Sequence, residues 1–200
     1  MYTEGYFERG EGSNYHSYGD DPRWVEILDI MGNDHKQMLD VGAAKGWFVH
    51  HARERGHQAF GMDVSEYAVE KAAPLAVGCL DVADATKGIP YATHAFDAVC
   101  SWEFFEHIKR EEVLKVLNEM VRVLKPDGVL WLRIALADGA SAETDVDVTH
   151  VTIMPRVWWE SLIAETQPDL IPNFDAEQLL DAQFAETDWS GRFFVYRKAK

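Results

Sequence analysis

The run Ser101-Trp102-Glu103-Phe104-Phe105-Glu106-His107 brings two carboxylates and an imidazole into one short stretch. On a helical turn, positions 103, 106 and 107 share a face, so Glu103, Glu106 and His107 can meet one hard or borderline divalent ion. His150, in Asp147-Val148-Thr149-His150-Val151, can add a fourth ligand. A cation held there would lower the pKa of a bound hydroxyl and orient it. Without a metal, His107 and His150 remain candidate catalytic groups, each able to move a proton or orient a reacting partner.

A second constellation needs no metal. Met38-Leu39-Asp40-Val41-Gly42-Ala43-Ala44-Lys45-Gly46-Trp47-Phe48 reads as a strand, a small-residue turn and the start of a helix, and Gly61-Met62-Asp63-Val64-Ser65 ends a second strand in an acid. Such a unit puts a tight backbone turn beside a carboxylate at the carboxyl edge of a parallel sheet, where nucleotide-like ligands bind. Asp63 follows Asp40 by 23 positions, about the spacing at which a second-strand acid meets a ribose diol. A dinucleotide fingerprint would need glycines at 42, 44 and 47, and Trp47 is too large for close helix–strand packing. Lys45-Gly46-Trp47 cannot replace the Gly-Lys-Ser/Thr of a phosphate cradle.

The elements that must position these groups alternate. An irregular aromatic arm over 1–20 precedes a helix opened by Asp21-Pro22 and ended at Gly32-Asn33. Strands follow over 37–41, 57–62, 76–82, 96–101 and 129–134, with helices over 46–55, 66–72 and 110–124 between them. Residues 136–150 read as a loop over the sheet edge, and Pro155 opens a late helix. Two alternating segments between Leu179 and Lys198, divided at Trp189-Ser190-Gly191, suggest a final hairpin of strands. The alternation predicts a parallel α/β sheet covered on both faces.

The bulk numbers bound the class. A chain of 200 residues with 47% hydrophobic and 26% charged residues suits one globular domain. The expected division is an arm (1–20), a cofactor-binding core (21–135) and a substrate-side segment (136–200). The net charge of −15 disfavours nucleic acid and anionic membranes as partners. Two cysteines, no signal-peptide pattern and no run of membrane-spanning length predict a cytoplasmic protein.

Four motifs then occur in order across about 38–135. They are Asp40-Val41-Gly42-Ala43-Ala44-Lys45-Gly46, the acid Asp63, Ile89-Pro90-Tyr91 leading to Phe96-Asp97-Ala98-Val99, and Arg122-Val123-Leu124-Lys125-Pro126-Asp127-Gly128. Together they closely resemble the class I S-adenosylmethionine-dependent methyltransferase family, with Ala44 and Asp127 standing where the family pattern has glycine. The resemblance implies a Rossmann-like, seven-stranded, mostly parallel sheet with helices on both faces and a C-terminal antiparallel hairpin. It implies S-adenosyl-L-methionine as cofactor, with Asp40, Gly42, Ala43 and Gly46 near the methionyl part and Asp63 with Val64 at the ribose. Asp84 and Ala85 would meet the adenine edge, Ser101 would lie at the lip, and Tyr15 of the arm would fold over the site.

The same resemblance implies methyl transfer to the oxygen or nitrogen of a small molecule, of a natural-product or sugar pathway, by a monomer or homodimer. Glu103-x-x-Glu106-His107 also resembles a segment of two metal-using groups, acting on catechols and on the terminal ribose of small RNAs. A metal-assisted RNA methyltransferase and a non-catalytic cofactor-binding protein are therefore the alternatives, with a divalent metal the less favoured feature.

Overall fold

The computed structural model describes residues 2–14, 18–139 and 145–200. The chain runs α1 (Glu4–Arg9), α2 (Arg23–Met31), β1 (Gln37–Val41), α3 (Trp47–Glu54), β2 (Gln58–Asp63), α4 (Glu66–Glu70) and β3 (Leu80–Val82). It continues through β4 (Phe96–Trp102), α5 (Arg110–Val123), β5 (Leu124–Arg133), α6 (Arg156–Thr166), β6 (Leu170–Pro172), α7 (Phe174–Gln183) and β7 (Phe193–Lys198). Short 3₁₀ turns cover Pro74–Ala76 and Phe105–His107.

One seven-stranded sheet has the order β3-β2-β1-β4-β5-β7-β6. The first five pair in parallel, while β7 runs antiparallel to β5 and β6. Strand order therefore reverses between β1 and β4, and that switch point opens a crevice at their carboxyl ends. Trp24, Phe48 and Leu180 bring α2, α3 and α7 onto one face, and Val116 and Trp159 bring α5 and α6 onto the other. The strands are buried on both faces, so they read as continuous apolar runs such as Ala98-Val99-Cys100.

The expected antiparallel pair at the end of the chain is present, but its first strand is not where the alternation put it. Residues 174–183 form α7, and β6 is the three-residue Leu170–Pro172. Ala176, Leu180 and Phe184 recur at fourfold spacing and are all buried, which is a helical face. The Asn173 side chain accepts from the Ala176 N–H and starts that helix. The strand expected over 76–82 shortens to β3 because Pro74 opens a 3₁₀ turn first. Among the described residues, no helix is long and apolar enough to cross a membrane.

Candidate active site

The turn after β1 alternates in hand. Gly42 has φ 81°, Ala44 φ 48° and Gly46 φ 71°. The Gly42 and Ala43 N–H groups both donate to the Met62 carbonyl at 2.9 Å, locking the turn onto β2. A Cβ at Gly42 would stand 2.4 Å from Cδ2 of Phe104, so only glycine lets that ring approach the backbone. Ala44 and Asp127 (φ 61°) are both left-handed residues, which explains why the family pattern carries glycine at both. The left-handed state costs Ala44 about 1–2 kcal/mol, and a glycine returns about 0.5–1 kcal/mol of that through unfolded-state entropy. Ala44→Gly should therefore stabilise the protein by roughly 0.5–1 kcal/mol and raise Tm by about 1–4 °C in a thermal melt.

Asp63 ends β2 facing this turn. Its Oδ2 accepts from the Ala44 N–H and its Oδ1 from the Ser65 N–H, both at 2.8 Å. Burial pushes its carboxyl above the usual range, opposed by the N–H groups of Ser65, Ala44 and Val64. Asp63 and Val64 line a slot of about 310 Å³ together with Asp84, Ala85, Phe104 and Ile108. The N-terminal arm closes it. Tyr2 and Tyr6 reach the slot wall, the Ser65 hydroxyl donates to the Tyr2 carbonyl at 2.6 Å, and Lys45 pairs with Glu8 at 2.5 Å. Lys45 also donates to the Tyr18 carbonyl at 2.9 Å, so the one cation of the turn is committed to the arm rather than to a phosphate.

Across Gly42, Trp102 and His107 lies a larger cavity of about 560 Å³. Asp40, which lines it, is buried and its Oδ1 lacks a partner among the described residues. Burial, and then Asp63, push its carboxyl well up. The 145–150 loop returns over this cavity and is pinned by the arm. Asn14 Nδ2 donates to Asp145 Oδ1 at 2.9 Å, and the Tyr6 hydroxyl donates to Asp147 Oδ2 at 2.8 Å.

That loop orients His107. Thr149 Oγ1 donates its single proton to Asp147 Oδ1 at 2.6 Å and lies 2.7 Å from His107 Nδ1. With its proton already given to the carboxylate, the hydroxyl can only accept from the imidazole. His107 is therefore protonated on Nδ1, and Nε2 keeps its lone pair. Burial, then the neighbouring His150, push its pKa down to about 4. The His107 and His150 rings meet edge to face at 4.7 Å, and His150 Nδ1 sits 2.5 Å from Asp145 Oδ2.

Glu106, His107 and His150 come together, with potential ligand atoms all within 4.8 Å of one another. Glu103, expected beside Glu106 and His107, is drawn the other way. Its backbone is left-handed (φ 52°), and its Oε1 lies 2.7 Å from Arg133 Nη1 and its Oε2 3.5 Å from Arg192 Nη1. The turn that carries the run is a 3₁₀ helix beginning only at Phe105, so 103 does not share a face with 106 and 107. Glu106 is fully buried, accepts from the Ala135 N–H at 3.2 Å, and is pushed well up by burial and then by Glu103.

The cofactor candidates divide by place. Gly42 lines both cavities, Asp40 and Ala43 the larger, and Asp63, Val64, Asp84 and Ala85 the slot. Gly46 and Ser101 line neither. A Cβ on Gly46 would meet Ala76 at 2.9 Å and Leu80 at 3.0 Å, so its smallness serves helix–strand packing. Ser101 is fully buried inside β4. Tyr15 lies outside the described residues. Sequence reasoning missed Arg133, Arg192, Trp189 and the Asp147–Thr149 pair, all in the cavity or directly behind it. The Asp147-x-Thr149 spacing was visible, but its aim at His107 was not.

A crevice at a sheet switch point, a left-handed glycine turn, an acid ending the second strand and a turn lysine committed to the arm define a nucleoside-binding α/β fold. Residues 39–132, just under half of the chain, match the methyltransferase domain family, and together with the fold this supports a class I S-adenosylmethionine-dependent methyltransferase. Solved structures share the architecture at low identity. A SAM-dependent methyltransferase from Archaeoglobus fulgidus is 14% identical with TM-score 0.64, covering 88% of this chain and 90% of that one. The Burkholderia thailandensis 1,6-didemethyltoxoflavin-N1-methyltransferase, seen with its acceptor and S-adenosylhomocysteine, is 16% identical with TM-score 0.63, covering 90% and 77%. YcgJ from Bacillus subtilis is 17% identical with TM-score 0.63, covering 88% and 97%. No sequence among the curated proteins matches.

Proposed function

We propose that this enzyme methylates an oxygen or nitrogen of a small molecule, with His107 as the base. The observation that carries this reading is the cavity of about 560 Å³ beside the slot, into which His107 faces from the shared wall. It is the size of a small acceptor. The net charge of −15 supports such an acceptor over RNA. The 1,6-didemethyltoxoflavin-N1-methyltransferase has a similar fold and is seen with 1,6-didemethyltoxoflavin bound.

S-adenosylmethionine, when bound, supplies an electrophilic methyl carbon. The chain's residues fit it. Asp63 still has lone pairs for a ribose diol beyond those given to Ala44 and Ser65. Asp84 and Ala85 line the same slot and suit the adenine, and the orphaned Oδ1 of Asp40 suits an ammonium group. His107 takes the proton that leaves the acceptor on Nε2, while Thr149 and Asp147 hold the tautomer. Enclosure by the arm aligns the reactants and keeps water out, which suits an in-line displacement. We place the enzyme in the cytoplasm, a reading the two free cysteines support.

A second reading has one observation in its favour, the meeting of Glu106, His107 and His150 within 4.8 Å. A divalent cation there would orient the acceptor. Against it, burial and then Glu103 push the Glu106 carboxyl well above the usual carboxylate range, which disfavours the deprotonated form that a metal ligand needs. Calorimetry with S-adenosylhomocysteine, followed by an acceptor screen read as S-adenosylhomocysteine release, tests the main reading. It expects binding and turnover that survive EDTA. Absence of binding overturns it, and activity lost to chelation and restored by one metal installs the second.

A further inference from the structure

We propose that the larger cavity ends in an anion subsite, formed by Arg133 and Arg192 beside Trp189, that selects an acceptor bearing a carboxylate or phosphate. The proposal deepens the methyltransferase reading and rests on it.

The subsite follows from strand register. Arg133 closes β5 opposite Phe193, and Arg192 immediately precedes that residue. Because β7 is antiparallel to β5, its first residues arrive at the carboxyl edge of the sheet, where the parallel strands end. Arg133 is 2% exposed and Arg192 4%. The Nε atoms of both lack a partner among the described residues, and both side chains line the cavity.

Buried guanidinium groups are normally paired and fully hydrogen-bonded. Here two of them share one half-buried carboxylate, Glu103, at 2.7 and 3.5 Å. Asp188, whose side chain is 58% exposed, lies 4.0 Å from Arg133 and 3.5 Å from Arg23. Arg23 is itself engaged by Asp21 through Nε and Nη2. Trp189 is sandwiched, with the Arg23 and Arg133 guanidinium carbons each 4.0 Å from its ring centroid, which holds Arg133 in place. Glu103 adopts a left-handed backbone to reach the pair (φ 52°). It occupies part of the arginine fork, and the two Nε donors stay buried and without a partner among the described residues.

A carboxylate could come from either reactant. Adjacent strands are about 4.8 Å apart, so β5 and β7 lie about 10 and 14 Å from the β1 turn. The methionyl group belongs at that turn, so the arginine pair faces the acceptor.

The test uses the full chain saturated with S-adenosylhomocysteine, titrated with inorganic phosphate and with acetate at constant ionic strength and followed by thermal shift and tryptophan fluorescence. Wild type should bind both probes relative to a chloride control. Arg192→Gln should bind them about tenfold more weakly, and Glu103→Gln, which removes the competing charge, severalfold more tightly. The Glu103→Gln gain keeps the proposal falsifiable if the arginine variant does not fold. S-adenosylhomocysteine and 5′-methylthioadenosine, which lacks the amino-acid carboxylate, should each bind Arg192→Gln as they bind wild type. A loss confined to S-adenosylhomocysteine would assign the pair to the cofactor and overturn the proposal. So would failure of both anions to bind a protein that still binds S-adenosylhomocysteine, an outcome that leaves the methyltransferase reading standing. In the acceptor screen, acids should exceed their methyl esters by about 100-fold in kcat/KM, and equal turnover of acid and ester would also overturn it.

Discussion

Asp63→Ala is expected to lose S-adenosylhomocysteine binding by about 100-fold or more in calorimetry. Two hydrogen bonds from ribose hydroxyls to a carboxylate are worth about 1.5 kcal/mol each, and about 3 kcal/mol corresponds to roughly 150-fold. The same carboxylate accepts from Ala44 and Ser65, so the turn loses its clamp as well. Leaving those two N–H groups without acceptors should cost about 2 kcal/mol and lower Tm by roughly 4–8 °C. The two effects separate, because a folded variant at 20 °C can be titrated directly. Binding within threefold of wild type would remove Asp63 from the cofactor site.

His107→Asn should lower kcat by about 10²–10⁴-fold while leaving S-adenosylhomocysteine affinity unchanged. Asparagine can still donate to Thr149, but its amide oxygen is too weakly basic to take the acceptor proton. Thr149→Val acts one step back, leaving the base present but free to flip, so it should lower kcat less and shift the pH profile. With its pKa pushed down to about 4, His107 is a neutral base at pH 7. Activity should hold from neutrality down to about pH 5 and fall as pH drops through about 4. The stability window lies higher. Between the ordinary histidine value near 6.5 and about 4, the unfolded chain takes up a proton that the folded one refuses, so stability declines as pH falls across that range. Replacing His107 should flatten that part of the curve, which a pH series of melts would show without any acceptor in hand. A kcat unchanged in His107→Asn would sink the proposed base.

Much of the cofactor side was legible in the chain because its signals are local. The turn at Gly42 to Gly46, the acid at Asp63 and the strand ending at Trp102 depend on neighbours in sequence, and the structure brings Asp63, Val64, Asp84 and Ala85 to one slot. Gly46 shows the limit of that reasoning. It was expected beside the cofactor, but what crowds it is Ala76 and Leu80 rather than the cavity. The last strand pair shows another. Period-two alternation over 179–188 competed with the fourfold spacing of Ala176, Leu180 and Phe184, and burial of that face against α2 and β7 decided for helix.

By itself, then, the sequence determined the fold family, the cofactor class and the residues of the turn, since backbone handedness, strand patterning and the Asp40–Asp63 interval are properties of short stretches. Only the tertiary structure decided what faces the acceptor. Glu103 was expected beside Glu106 and His107, and the register of β5 against β7 instead gave it two arginines. Thr149, held by Asp147, reaches His107 across 42 positions through a loop that the arm holds down. Single charged residues at strand ends carry no periodic signature, so their partners emerge only when the sheet has been assembled.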